Sequence, residues 1–353
     1  MKKHLLIVIA LVSLVGFKPD VTAQTGYNTA VEYFTGTWCQ WCPCSHALIE
    51  NILASYPNTV ILAYHGPSND PWTSTGLPMI SYFGANSYPT GVVGRTSGII
   101  SNTGWNNRVV VQSNTVQPGV SIQLNNKNYN TGTRMLTGSI VVTALTNLSG
   151  SYYIHLVVTE SNLVYPQTGN GSCQGGQNYV HYNVSRGLIT GASGQLLTPA
   201  DDWTTGQSVT VPLNYELPAG VLEANSKLNI VVFKGGGVSH TDQQIQQSLK
   251  TNIIDPTGVT HENEIASSYS LSQNYPNPFN PVTNINFSIP KDQNVSLKFY
   301  NSMGQEVATY VDEFLKAGIY NVDFDGSSFS SGIYFYTLKT ADFVETKKMM
   351  LVK

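Results

Sequence analysis

Charged side chains are scarce in this sequence. Lysine and arginine number 18 and aspartate and glutamate 21 among 353 residues, and the formal net charge is −3. Such a chain has no basic stripe, which excludes the phosphate-tracking surface that nucleic-acid binding requires. Long apolar runs are also missing, except at the start, where Leu5 to Phe17 is almost wholly apolar. A membrane-spanning helix needs about 20 such residues. No later stretch is expected to cross a bilayer as a helix, so the mature chain is expected to be soluble or surface-attached. Cysteine is rare too. There are four, Cys39, Cys42, Cys44 and Cys173, and the first three lie within six residues. What is abundant is Asn, Thr, Ser, Gly and Tyr, a neutral polar mixture that suits β-rich extracytoplasmic domains.

The N-terminus has the three parts of a secretory signal. Lys2, Lys3 and His4 form a basic leader, the apolar run follows, and Val21-Thr22-Ala23 offers small residues for cleavage after Ala23. Residues 1–23 are therefore expected to be a signal peptide. Residues 24–116 alternate strand and helix. Ala30 to Phe34 predicts a strand and Asn58 to His65 a buried one, Cys42 to Ser55 a helix, Leu77 to Phe83 a short helix, and Trp105 to Gln112 a closing helix. This is an α/β layer. From 117 to 255 the pattern changes to short alternating strands, among them Val120 to Leu124, Gly138 to Leu145, Tyr152 to Thr159 and Leu228 to Phe233. That argues a β-sandwich. Residues 256–270 are polar and expected to be a linker. Residues 271–353 carry further strands punctuated by Gly304, Gly318, Gly326 and Gly332, which predicts a small all-β module.

The chemistry concentrates at Trp38-Cys39-Gln40-Trp41-Cys42-Pro43, between a predicted strand and a predicted helix. A thiol beside the unpaired N–H groups of a helix start is stabilised as thiolate, with a pKa lowered to about 3.5–7.5 in such motifs. The thiolate attacks a substrate disulfide, and the second cysteine resolves the mixed disulfide. Cys39 is the candidate nucleophile and Cys42 the candidate resolver, with Trp38 flanking the sulfur. Two other readings compete: a binding scaffold stapled by an oxidised pair, and a metal site of Cys39, Cys42, Cys44 and His46. The last has no standard zinc spacing, and one helix presents such ligands poorly. No metal and no cofactor is expected, and His46 is expected on the helix surface. Cys173 lies in the Gly/Ser-rich stretch Asn170 to Gly176. Cys44 and Cys173 either form a structural disulfide, tying the first segment to the second, or leave Cys44 free to compete as resolver.

The motif resembles the thioredoxin superfamily. The cysteines follow the strand ending in Phe34-Thr35-Gly36-Thr37, a helix comes after them, and Tyr88-Pro89-Thr90 stands about fifty residues on. The resemblance implies a cis-proline role for Pro89 and contact of Tyr88 with a bound protein or peptide disulfide substrate. It departs at Tyr33, where thioredoxins often bury an acid; Glu32 is on the opposite strand face. Together with Val158 to Gln167, Tyr179 to Arg186 and Pro89-Thr90-Gly91-Val92-Val93-Gly94-Arg95, the chain resembles the thioredoxin-like outer-membrane proteins of Bacteroidota over roughly 28–255. That resemblance implies a thioredoxin-like α/β half followed by an Ig-like β-sandwich. His181, Asn183 and Arg186 read either as a polar cluster near the junction or as strand residues hydrogen-bonded in place.

The last segment opens on Leu271 to Pro281, rich in proline, continues through Ala317-Gly318-Ile319-Tyr320 and Ser331 to Tyr336, and ends in Thr346 to Lys353. It resembles the type A sorting domain of the type IX secretion system. The resemblance implies passage across the outer membrane, with the secretion machinery as the partner of 271–353. Tyr320, Tyr334 and Tyr336 are expected in its core. A surface destination has no thioredoxin reductase in reach, so the Cys39–Cys42 pair is expected to be oxidised.

Overall fold

The computed structural model describes residues 26–67, 69–198, 202–235, 243–254, 260–262, 266, 268–315 and 317–353. The expected signal peptide, residues 1–23, and most of the expected linker lie outside them.

The first segment runs β1 (Ala30–Thr35), α1 (Cys44–Ser55), β2 (Val60–His65), α2 (Thr73–Phe83), β3 (Thr90–Val93), β4 (Ile100–Ser101) and α3 (Trp105–Thr115). Strands β1 and β2 pair in parallel, β3 runs antiparallel to β1, and β4 is at the edge. Every residue of β1 and β2 is buried, because both sheet faces are covered. That is why they read as continuous apolar runs. Val31, Tyr33, Ile61 and Ala63 face α1 and α3, against Ile49, Ile52, Trp105 and Val109. Ala30, Phe34, Leu62 and Tyr64 face α2, against Met79, Ile80 and Phe83.

Helix α2 starts four residues before the expected Leu77 and comes unusually close to β2. A Cβ on Gly76 would stand 1.9 Å from the carbonyl oxygen of His65 and 2.4 Å from its nitrogen. Gly76→Ala must push the helix off the strand, and overpacking of that kind costs about 1–3 kcal/mol. Urea denaturation should read the loss; an unchanged midpoint would show that α2 sits further out.

The second segment contributes β5 (Val120–Asn130), β6 (Met135–Ala144), β7 (Tyr152–Glu160), β8 (Leu163–Val164), β9 (Val180–His181), β10 (Val184–Leu188), β11 (Gln195–Thr198), β12 (Ser208–Glu216), β13 (Ser226–Lys234) and β14 (Ile245–Asn252). It does not form a separate body. The main sheet runs β14-β13-β7-β10-β2-β1-β3-β4, with β11 also on β7. The two segments are joined where β10 meets β2 in parallel: Val184 is opposite Ala63, and Ala63 N–H donates to Asn183 O at 2.9 Å. The boundary expected at 116/117 therefore falls on a connection, while the sheet runs through it.

A three-stranded sheet, β12-β6-β5, covers one face of the β7–β13 half. Ile154, Leu156 and Val158 of β7 and Leu228, Ile230 and Val232 of β13 meet Ile122, Leu124, Ile140 and Val211 there. The alternate residues, Val157, Val231 and Phe233, turn to the other face and extend the α2 core.

The C-terminal segment holds β15 (Thr260–Glu262), β16 (Ser270–Leu271), β17 (Val282–Ile289), β18 (Gln293–Asn301), β19 (Glu306–Leu315), β20 (Gly318–Asp325), β21 (Gly332–Lys339) and β22 (Val344–Leu351). They make two four-stranded sheets, β15-β20-β17-β16 and β19-β18-β21-β22. Between them Phe287, Phe299, Phe324 and Tyr336 are buried, with Phe299 and Phe324 stacked at 4.3 Å. Tyr320 and Tyr334 join this core. The expected linker is not wholly outside the module, since Thr260–Glu262 pairs with β20.

Candidate functional site

The cysteine segment lies between the end of β1 and the start of α1. Its N–H groups are used locally: Cys39 N–H donates to Gly36 O at 3.0 Å, Cys42 N–H to Cys39 O at 3.2 Å and Ser45 N–H to Cys42 O at 3.0 Å. These are tight turns that wind into the helix. The first helical residue is Cys44, not Cys42, so the helix start is displaced by about half a turn from the expected position. Cys39 is then farther from the helix N-terminus than the sequence argument placed it.

Cys39 and Cys42 are joined as a disulfide, with Cα atoms 5.4 Å apart. Cys44 and Cys173 form a second disulfide, with Cα atoms 4.9 Å apart. Cys39 and Cys42 are 4% and 3% exposed, whereas the neighbouring Trp38 and Trp41 are 42% and 54% exposed. The aromatic rim is open and the sulfur pair is covered. Tyr88 packs edge-on against Trp38 at 5.2 Å. The Tyr88–Pro89 peptide is cis and leads into β3, whose Thr90 is opposite Phe34 of β1. Trp38, Tyr88 and Pro89 thus gather beside the cysteine segment.

Two polar residues outside the cysteine motif, Asp70 and Gln167, hold this segment. Asp70 Oδ2 accepts the Thr37 N–H at 2.8 Å and faces His65 Nδ1 at 2.9 Å, while Oδ1 accepts the Trp72 N–H at 3.0 Å. Burial alone would raise the Asp70 pKa, but the His65 contact and the two backbone donors hold it low. Gln167 reaches across from the loop between β8 and β9, donating from Nε2 to Gly36 O at 3.2 Å and Cys39 O at 2.9 Å.

His46, expected on the helix surface, turns inward instead. Its Nδ1 is 2.8 Å from the Tyr179 hydroxyl, and its ring lies 6.3 Å from that of His181. His181 in turn packs on His65 at 5.4 Å and Trp72 at 4.9 Å. Burial, reinforced by His65, lowers the pKa of His46 to about 4 and that of His181 to about 3. Both are neutral at pH 7. The residues read as a polar set with His181 have different partners: Arg186 pairs with Glu160, Asn183 accepts the Ala63 N–H through its backbone carbonyl, and His181 Nε2 is 3.1 Å from Tyr165 O. They are hydrogen-bonded in place.

A second buried group lies on the α2 face. Arg95 Nε and Nη2 grip Glu32 Oε2 and Oε1 at 2.7 and 2.8 Å, and both side chains are fully buried. Tyr64 donates to Glu32 Oε1 at 3.3 Å, and His155 Nδ1 is 3.4 Å from Arg95 Nη2. Burial would raise the Glu32 pKa, but the guanidinium charge and hydrogen bonds bring it below its ordinary value. His155 is pushed down to about 4 by burial and by Arg95.

Among the described residues, no helix is long and apolar enough to cross a membrane, and no group of three or more His, Cys, Asp or Glu side chains is arranged to hold a metal ion. Residues 273–353 match the family of secretion system C-terminal sorting domains. The chain is therefore an exported protein, carried by type IX secretion to the cell surface or the extracellular space. In structure it is similar to HBP35 of Porphyromonas gingivalis, with a TM-score of 0.54 and 16% identity, covering 94% of this chain and 100% of that one. At that identity the likeness concerns the fold alone. The sporulation control protein Spo0M from Bacillus subtilis gives a TM-score of 0.24 at 9% identity, over 67% of this chain and 91% of its own, and carries no argument. No curated protein matches the sequence at a significant level.

Proposed function

We propose that this exported protein performs thiol–disulfide exchange on extracytoplasmic proteins through Cys39 and Cys42, on a thioredoxin-like unit. The observation that carries the reading is the place of the cysteine pair: it follows the central strand β1, precedes α1, and lies beside Tyr88-Pro89 at the head of β3. Exchange needs a disulfide that opens to a thiolate and closes on a second thiol of the same turn. The exposed faces of Trp38 and Trp41 offer apolar contact for a substrate chain. Cys39 is the attacking thiolate and Cys42 the resolver.

A second reading, an oxidised scaffold that binds without turnover, is favoured by one observation: both sulfur-bearing residues are almost fully covered. Insulin reduction driven by dithiothreitol separates the two. The chain without residues 1–23 should accelerate it, and Cys39→Ser should fall to the uncatalysed rate. Equal rates for the two would remove the exchange reading.

A further inference from the structure

The loop between β8 and β9 is a strap laid across the cysteine segment. Its base is closed by Tyr165 N–H to Tyr179 O at 3.0 Å and by reciprocal bonds between Gln167 and Gly176 at 2.9 Å. Its tip is folded by Asn170 Oδ1, which accepts the N–H groups of Ser172 and Cys173 at 2.8 Å each. The tip is also tight: a Cβ on Gly175 would stand 2.1 Å from Gln167 O.

The strap engages the backbone on either side of Cys39. Thr168 N–H donates to Thr37 O at 2.7 Å, Gln167 Nε2 to Gly36 O and Cys39 O, and Asn170 Nδ2 to Gln40 O at 3.0 Å. Four carbonyls between Gly36 and Gln40 are thus held by one loop. The covalent tie is Cys44–Cys173, at the tip of the strap and the first turn of α1. Cys173 is 3% exposed and Cys44 only half-buried, so the reachable sulfur of that bond is Cys44 Sγ.

We infer that Cys44–Cys173 is a second redox site, a latch opened by a dithiol reductant, and that its opening exposes Cys39–Cys42. This rests on the exchange reading of that pair. A thiolate of the dithiol attacks Cys44 Sγ, forming an intermolecular disulfide and expelling Cys173 as a thiolate, which takes up a proton. The reagent's second thiol loses its proton and attacks the reagent sulfur bound to Cys44. This closes the reagent into a cyclic disulfide and releases Cys44, which is protonated. Two electrons pass from the dithiol to the cysteine pair. The strap's contacts with the Gly36–Gln40 backbone are then hydrogen bonds of a kind that water replaces at modest net cost, and its tip lifts from that backbone. Disulfide exchange depends on access to the attacked sulfur, so the covered pair reacts second.

The order of reduction tests this. The oxidised chain is treated with dithiothreitol, quenched at intervals with iodoacetamide, and mapped by mass spectrometry. Cys44 and Cys173 should be alkylated before Cys39 and Cys42. In Cys44→Ser/Cys173→Ser, the Cys39–Cys42 bond should be reduced about tenfold or more faster than in the parent, since exposure of the sulfur governs the rate. Gln167→Ala keeps both disulfides and guards against a misfolded double variant: its Cys39–Cys42 bond should open sooner after the latch than in the parent. Reduction of Cys39–Cys42 first in the parent, or at the parent's rate in the double variant, overturns the latch. The readout uses the chain's own sulfurs. A chain inactive towards insulin yet reduced in this order loses the exchange reading and keeps the latch. An active chain whose Cys39–Cys42 opens first loses the latch alone.

Discussion

Arg95→Met is expected to lower the stability of the chain by about 3–5 kcal/mol, the usual cost of leaving one member of a buried ion pair alone. Glu32 and Arg95 have no exposed surface, and the guanidinium grips the carboxylate through two nitrogens. Desolvating both charges consumes much of their attraction, so the pair itself is a poor source of net stability. Removing the cation leaves a carboxylate among Phe34, Tyr64 and Phe83 with one hydroxyl donor, and it must then take up a proton. The pair also spans the junction. Glu32 is on β1, while the guanidinium lies over the ring of Phe233 on β13 at 4.1 Å. Urea denaturation of Arg95→Met should show the loss, and Glu32→Leu/Arg95→Met should recover much of it, because no charge is then stranded. A single variant within about 0.5 kcal/mol of the parent, the range of ordinary surface changes, would mean that the pair is solvated.

That pair also shows where the sequence stops being legible. Strands β1 and β2 announce themselves because burial on both faces leaves mostly apolar runs, Ala30 to Phe34 and Val60 to His65. The Glu32 carboxyl interrupts its run, and its partner sits sixty-three positions later; no local pattern links them. The same limit hides the shared sheet. Val184 meets Ala63 through a pairing set by tertiary folding alone, so the composition shift near 117 read as a domain boundary. The first turn of helix α2 is hidden because Thr73, Ser74, Thr75 and Gly76 are poor helix formers, yet Gly76 is required by the approach to His65. Strand β19 carries no clean alternation in the sequence, since its register shifts twice against β18. The cysteine motif and Tyr88-Pro89 were visible as local strings. Asp70 and Gln167, which position the motif, are single polar residues in loops and carry no spacing signal.

Acidification should unfold this chain steeply. His46, His155 and His181 have pKa values lowered by burial to about 4, 4 and 3, against about 6.5 in an unfolded chain. Well above pH 6.5 both states hold them neutral and stability is unaffected. As pH falls below 6.5 the unfolded chain takes up protons that the folded chain refuses, so stability is lost down to the folded values near 4 and below. Each histidine contributes about 1.4 kcal/mol per pH unit in that window. Three together remove about 4 kcal/mol per unit, a large share of the 5–15 kcal/mol that typical domains possess. Glu32 and Asp70, whose pKa values are held low in the fold, add further loss as pH drops through the ordinary carboxylate range. Glu160, raised by burial, offsets a part of this in the same acid range. Urea midpoints measured at pH 7.5, 6.5, 5.5 and 4.5 should slip by about 1 kcal/mol of stability between the first two, where the unfolded imidazoles become half protonated, and then fall steeply. His155→Gln, which cannot titrate, should make the fall shallower by about a third if its site repacks without charge. A midpoint that stays level from pH 7.5 to 4.5 would mean that these imidazoles are protonated in the folded chain, and that the cluster behind the cysteine segment is open to water.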